Sequence, residues 1–279
     1  MSFVTPRGYQ TGKLAPRPFE SLKFLSGYLG SEAPAPPPQA HYGSRVKVPW
    51  GMCANGPDPS VTLPGTPQDW SGCGDCVVGM CAHSLLCSNY DENGHVLPVP
   101  TSNIDVETYC TLAGCTPEQL FSDPNQYDTG LNISTTLQTW HTTGLFGTKI
   151  DAWAPVDISN VTEMRQGLAF FGGLLIGVQL PESSEQQFPN EWTVVPGSPI
   201  IGGHAIFLTG YASNRWYGCT WGQLLIGGIS TEWLSEFCDE AYVVISEQAV
   251  NAGEGPDPNY GATYLNLAAL KADLAALNA

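Results

Sequence analysis

The segment Ser71-Gly72-Cys73-Gly74-Asp75-Cys76-Val77-Val78 concentrates reactive side chains. Its two cysteines stand three apart, directly before an apolar run, residues 76–88, that reads as a buried helix. A cysteine at a helix start feels the positive end of the helix dipole, which favours thiolate, the nucleophilic form. A thiolate that attacks a carbonyl needs a proton-handling partner, commonly a histidine close in space and distant in sequence. His204, in Ile200-Ile201-Gly202-Gly203-His204-Ala205-Ile206, fits that part. The glycines before it leave open space, and the apolar run after it reads as a strand. The chemistry is attack of Cys76 on an amide or ester carbonyl, proton transfer by His204, and an oxyanion held by the Cys76 backbone N–H.

In this order and spacing the residues resemble the papain family of cysteine peptidases. Cys73-Gly74-Asp75-Cys76 is similar to that family's C-G-S-C block, with Cys76 as nucleophile. Gly203-His204-Ala205-Ile206 through Gly210-Tyr211 resembles the strand that carries the base, and Thr220-Trp221-Gly222 the S-W-G that follows. Tyr127-Asp128-Thr129-Gly130 and Phe171 through Val178 also look familiar, so the resemblance covers roughly residues 66–246. The wording of residues 140–157 and of Asp239 through Ser246 is closer to papain-like proteins of bacteriophage genomes. The resemblance implies an α+β papain-like fold, with a helical first half and an antiparallel sheet in the second.

Three positions depart from the family pattern. The family's oxyanion Gln, six residues before the nucleophile, is here Trp70; Gln68 substitutes only if its loop is rearranged. One lost oxyanion donor costs on the order of a hundredfold in rate. The orienting Asn, just before S-W-G, is here Cys219, a weak hydrogen-bond partner for an imidazole. Val77 replaces the usual aromatic residue after the nucleophile. The candidate site is therefore Cys76, His204, Cys219 and Gln68. In secreted relatives Cys73 is often disulfide-bonded; Cys110 and Cys115 are the spaced candidates, and a free thiol fits a reducing compartment equally. A zinc reading of Cys73, Cys76, Cys81, His83 and Cys87, with Cys53 nearby, lacks the second knuckle of a structural site, so neither metal nor cofactor is expected. His41, His83, His95 and His141 have no partner legible in the sequence.

Around these residues the elements read as follows. Thr116-Pro117-Glu118-Gln119 is a capped helix start. Residues 131–143 and 160–171 read as amphipathic helices stopped by Gly144 and Gly172. Short apolar runs at 174–180, 205–211, 216–221, 224–226 and 241–245 read as strands, with a short helix at 230–240. Residues 1–50 form an extended Pro-rich arm, with one short helix expected at 19–29. Residues 51–247 form the papain-like domain. Residues 248–279 give a Gly/Pro loop and a helix, 264–277, whose Leu267, Leu270, Leu274 and Leu277 must pack on something.

The formal charge of the 279-residue chain is −16. The arm holds six bases (Arg7, Lys13, Arg17, Lys23, Arg45, Lys47) against Glu20 and Glu32, while the rest holds four bases and twenty-four acids. So acidic a body repels nucleic acid and anionic membrane, whereas the basic arm suits an acidic surface, on its own body or a neighbouring copy. The first residues show no apolar run of signal-peptide type, and no stretch reaches a membrane span. The expected setting is the cytoplasm, or a virion assembled there. The expected function is a virion-associated papain-like protein of a bacteriophage, decorating capsid or tail through its arm and C-terminal helix, with degenerate catalysis. Its partners would be other virion or capsid proteins and copies of itself. The alternative is an active cysteine peptidase or amidase that takes a peptide substrate.

Overall fold

The computed structural model describes residues 3–4, 10–17, 19, 21–42, 48–53, 58–91, 100–246 and 261–277. Arg7, Arg45, Lys47, His95 and nearly all of the Gly/Pro loop before the last helices lie outside the described residues.

The first half is helical. Helix α1 (Cys76–Asp91) is buried along most of its length, followed by α2 (Ser102–Ala113), α3 (Pro117–Ser122), α4 (Pro124–Tyr127) and α5 (Ile133–Thr142). The Thr116 cap forms as read: its side chain accepts from the N–H of Gln119, whose own side chain reaches back to the cap. Helix α2 has no strong apolar stripe and was not anticipated; Thr101 caps its start and Gly114 closes it in the left-handed conformation.

Two short strands of the arm, β1 (Phe3–Val4) and β2 (Gln10–Thr11), pair with each other, and the second half, joined by a third strand from the arm, builds an eight-stranded antiparallel sheet. Its strands are β3 (Gln39–His41), β4 (Ile150–Pro155), β5 (Leu174–Pro181), β6 (Ile200–Ala212), β7 (Arg215–Thr220), β8 (Gln223–Leu224), β9 (Ile229–Ser230) and β10 (Cys238–Ser246). The order is β4-β10-β5-β6-β7-β8, with β3 beside β6 and β9 beside β7. Helices α6 (Val161–Phe171), α7 (Glu182–Gln187) and α8 (Thr231–Phe237) connect the strands. The expected strand at 224–226 shrinks to the two residues of β8, and Ile226 is left exposed. Helix α1 packs across β6, the strand that carries His204, and this crossing brings the Cys76 sulfur to the backbone of Ala205.

The arm docks on this body. Its expected helix reduces to a single 3-10 turn, Leu25–Gly27, with Leu25 and Tyr28 fully buried. Gln39–His41 joins the sheet beside Gly210–Ala212. The expected terminal helix is split into α9 (Gly261–Tyr264) and α10 (Leu267–Ala276), because Leu265 bridges to Leu29 and Asn266 caps α10. Leu270 and Leu274 are buried, and Tyr28 donates to Asp273 at 2.8 Å. The arm and the C-terminal helix thus cover each other's apolar faces on one body.

Candidate active site

Cys76 opens α1, as its place before the apolar run requires, and is 1% exposed. The loop before it is pinned by Asp128, whose carboxylate accepts from the Gly74 N–H at 3.0 and 3.1 Å and from the Tyr109 hydroxyl at 2.5 Å. The same hydroxyl accepts from the Gly130 N–H at 2.9 Å. Burial is the main influence on the Cys76 thiol and pushes it up to about 12; hydrogen bonds from the backbone of Gly12 and Ala205 pull it down. The neighbouring Asp75 carboxyl is itself held well above the usual range, by burial first and by the charge of Asp128 second.

His204 lies on β6 and is fully buried. Its ring stacks on Trp221 at 4.7 Å and 27°, and Trp221 adopts φ +47° to do so, a conformation that a bulky residue rarely takes. Phe188 and Trp192 meet the same indole edge-on. The ring's Nε2 lies 2.5 Å from the Thr220 Oγ1. Its Nδ1 is buried and has no hydrogen-bond partner among the described residues. When Thr220 accepts from Nε2–H, Nδ1 keeps its lone pair, which is the form a base requires. Burial, and then the charge of Lys13, lower the His204 pKa to about 3. With both groups buried, thiol and imidazole rest neutral.

What buries them is the arm. The Lys13 N–H donates to the Gly203 carbonyl at 3.0 Å, the Leu131 N–H to the Gly12 carbonyl at 2.8 Å, and the Leu14 N–H to the Leu131 carbonyl at 2.8 Å. Glycine is required on both sides of this passage. A Cβ at position 12 would stand 1.9 Å from the Gly74 carbonyl oxygen, one at 130 would stand 2.3 Å from the Gly12 oxygen, and one at 203 would stand 2.3 Å from the Lys13 oxygen. Gly203 before the histidine thus makes room for the arm's main chain, and Gly202 for the Thr11 side chain. The Lys13 ammonium passes inward to Asp239 and Glu240, at 2.9 and 3.1 Å.

The Cys76 sulfur thus meets the backbone of Ala205, the residue after His204, while no hydrogen bond joins the thiol to the His204 ring. Cys219, the sequence candidate for the ring's partner, is fully buried in the sheet opposite Phe207; the ring is held by the next residue, Thr220. Successive strand side chains point to opposite faces, so only one of the two can reach the ring. Gln68 sits exposed in a turn, and Trp70 packs edge-on against Phe121 at 5.7 Å. Lys13, Asp128, Tyr109, Thr220 and Glu240 were missed as site residues. Asp128 and Thr220 stand inside the familiar Y-D-T-G and T-W-G strings; Lys13 carries no comparable signal. The other described histidines are structural: His83 meets the Trp50 carbonyl and His141 the Ile150 carbonyl, each at 3.2 Å, and His41 packs on Tyr217. Cys73, Cys110 and Cys115 are free thiols, the latter two in hydrogen-bond contact.

Solved structures decide the fold. Xylellain, a cysteine protease from Xylella fastidiosa, superposes with TM-score 0.56 at 13% identity over 88% of this chain and 98% of its own. The fold is papain-like. ProCathepsin B S9 from Trypanosoma congolense gives TM-score 0.52 at 12% identity over 88% of this chain and 89% of its own. The Amb a 11 cysteine protease of ragweed pollen, in its proform, gives 0.52 at 13% identity over 89% of this chain and 68% of its own. No family model and no curated protein matches the sequence. No helix among the described residues is long and apolar enough to cross a membrane.

Proposed function

We propose that this chain is a papain-like cysteine hydrolase, acting on amide or ester carbonyls of peptides, and held latent by residues 11–14 of its own arm. The observation that carries the reading is a length of main chain already lying in the cleft, hydrogen-bonded to Gly203 beside the base and to the sulfur of Cys76. Two of the similar structures are described as a proform and a procathepsin, which supports latency.

With the arm out, water returns to the cleft and the charged forms of both groups become cheaper. His204 Nδ1 takes the thiol proton while Thr220 holds Nε2–H. The thiolate adds to the carbonyl carbon, and the oxyanion faces the Cys76 N–H at the start of α1. The imidazolium protonates the leaving amine or alcohol. Water, deprotonated by His204, then cleaves the thioester. The test is iodoacetamide labelling of the full chain carrying Gly12→Val, a side chain that cannot pass Gly74. Cys76 should label faster than every other cysteine and a peptide amide should be hydrolysed, with Cys76→Ala abolishing turnover. A Cys76 that labels no faster than the buried structural cysteines refutes the reading.

A second reading is a papain-like component of a bacteriophage virion with degenerate catalysis. The phage-like wording at residues 140–157 and 239–246 and the absence of Gln at position 70 favour it. The arm and C-terminal helix are engaged with the chain's own body, so outward docking through them requires their release. Retention in assembled particles after Leu270→Ala, which loosens that helix, separates this reading from a purely enzymatic one.

A further inference from the structure

We propose that the pocket floored by Asp239 and Glu240 is a binding subsite for a lysyl or arginyl side chain of a peptide ligand, filled here by Lys13 of the arm. The proposal rests on reading the cleft as a peptide-binding site, and names the class of peptide it takes. The Lys13 side chain is 0% exposed, an arrangement that a lysine tolerates only when it is paired. Both carboxylates are oriented in advance by neutral donors: Gln179 Nε2 to Asp239 Oδ2 at 2.6 Å, and the Tyr242 hydroxyl to Glu240 Oε2 at 2.7 Å. One wall is opened by Gly177, where a Cβ would stand 2.1 Å from the Lys13 Cε.

Two features show that the pocket is not tailored to Lys13 alone. Asp239 Oδ1 is buried and has no hydrogen-bond partner among the described residues. Asp239 and Glu240 also border a cavity of about 440 Å³ walled by Phe19, Trp153 and Tyr242. A guanidinium, with five N–H donors, can use the free Asp239 oxygen that an ammonium leaves unpaired. The residue whose side chain fills the pocket is the immediate neighbour of Gly12, whose backbone hydrogen-bonds the Cys76 sulfur. A basic side chain seated here therefore fixes the peptide's register on the nucleophile. A neutral or acidic side chain seated in the pocket would leave two carboxylates in low dielectric without a counter-charge, which disfavours such peptides.

The experiment uses the full chain carrying Gly12→Val, and in parallel Lys13→Met should the first variant not fold. The probe is a fluorescein-labelled hexapeptide of residues 10–15, Gln-Thr-Gly-Lys-Leu-Ala, with versions carrying arginine, norleucine or glutamate in place of the lysine. Fluorescence anisotropy should give at least tenfold tighter binding for the lysine and arginine peptides than for norleucine, and Glu240→Gln in the same background should remove the difference. Norleucine binding within threefold of lysine, or a preference that survives Glu240→Gln, overturns the subsite. Because the readout is binding, an unreactive Cys76 would sink the hydrolase reading while leaving a lysine preference standing, and the reverse result would sink only the subsite.

Discussion

Lys13→Met should unlock the cleft. Methionine keeps most of the apolar stem beside Gly177 but removes the charge, so little cavity forms. The loss falls on Asp239 and Glu240, 2.9 and 3.1 Å from the ammonium, with Glu240 only 6% exposed. Removing one partner of a buried ion pair costs about 3–5 kcal/mol. Burial already raises the Glu240 pKa, so Glu240 can answer by taking up a proton, which places the cost near the lower figure. The whole of it is charged to the seated state, because an arm lifted into water leaves both carboxylates hydrated in either variant. At ~1.4 kcal/mol per tenfold, 3 kcal/mol shifts the opening equilibrium by roughly 150-fold. Alkylation of Cys76, slow while it depends on rare opening, should accelerate by about that factor at pH 7.5, until the open form dominates. The assay is a time course of iodoacetamide labelling resolved by peptide mass, with the body-buried Cys81 and Cys219 as internal controls and near-ultraviolet circular dichroism as the check on folding. An acceleration below about threefold in a folded variant, or one shared by Cys81 and Cys219, refutes the ion pair as the latch.

Two further outcomes follow from the site. Thr220→Val keeps the volume but removes the acceptor for His204 Nε2; in the Gly12→Val background it should lower kcat by about ten- to a hundredfold and displace the acid limb of the pH–rate profile, while Thr220→Ser restores both. The seated arm should also loosen in acid. His204 is held near a pKa of about 3 by burial and then by Lys13, and would return toward 6.5 with the arm out, so the open state binds the extra proton between those values. The His204 contribution to arm closure is therefore complete above pH 6.5 and is lost at up to about 1.4 kcal/mol per unit as pH falls below it. Glu240, raised mainly by burial, works in the opposite sense and flattens the acid end. Hydrogen exchange at Thr11–Leu14 measured between pH 5 and 8 checks this; protection that does not change with pH counts against it.

Sequence alone determined the parts that are local. Cys76 stands at a helix start because an apolar run follows it, the Thr116–Gln119 cap is written in four consecutive residues, and Gly172 stops α6 by taking the left-handed conformation. The α+β order was legible because helical and strand periodicities fall in different halves of the chain. The partner of the histidine ring was not legible. Cys219 and Thr220 are adjacent, and which of them faces His204 is set by the β6–β7 register, a pairing that no local pattern encodes. The role of Gly202 and Gly203 was half visible: they signalled open space, but only the folded chain showed that its own Thr11 and Lys13 fill it. The latch itself joins Lys13 to Asp239 across 226 residues, and a charge pair of that separation leaves no trace in spacing or composition. Only the sheet, by carrying Asp239 and Glu240 beneath the cleft, decided that the basic arm would turn inward.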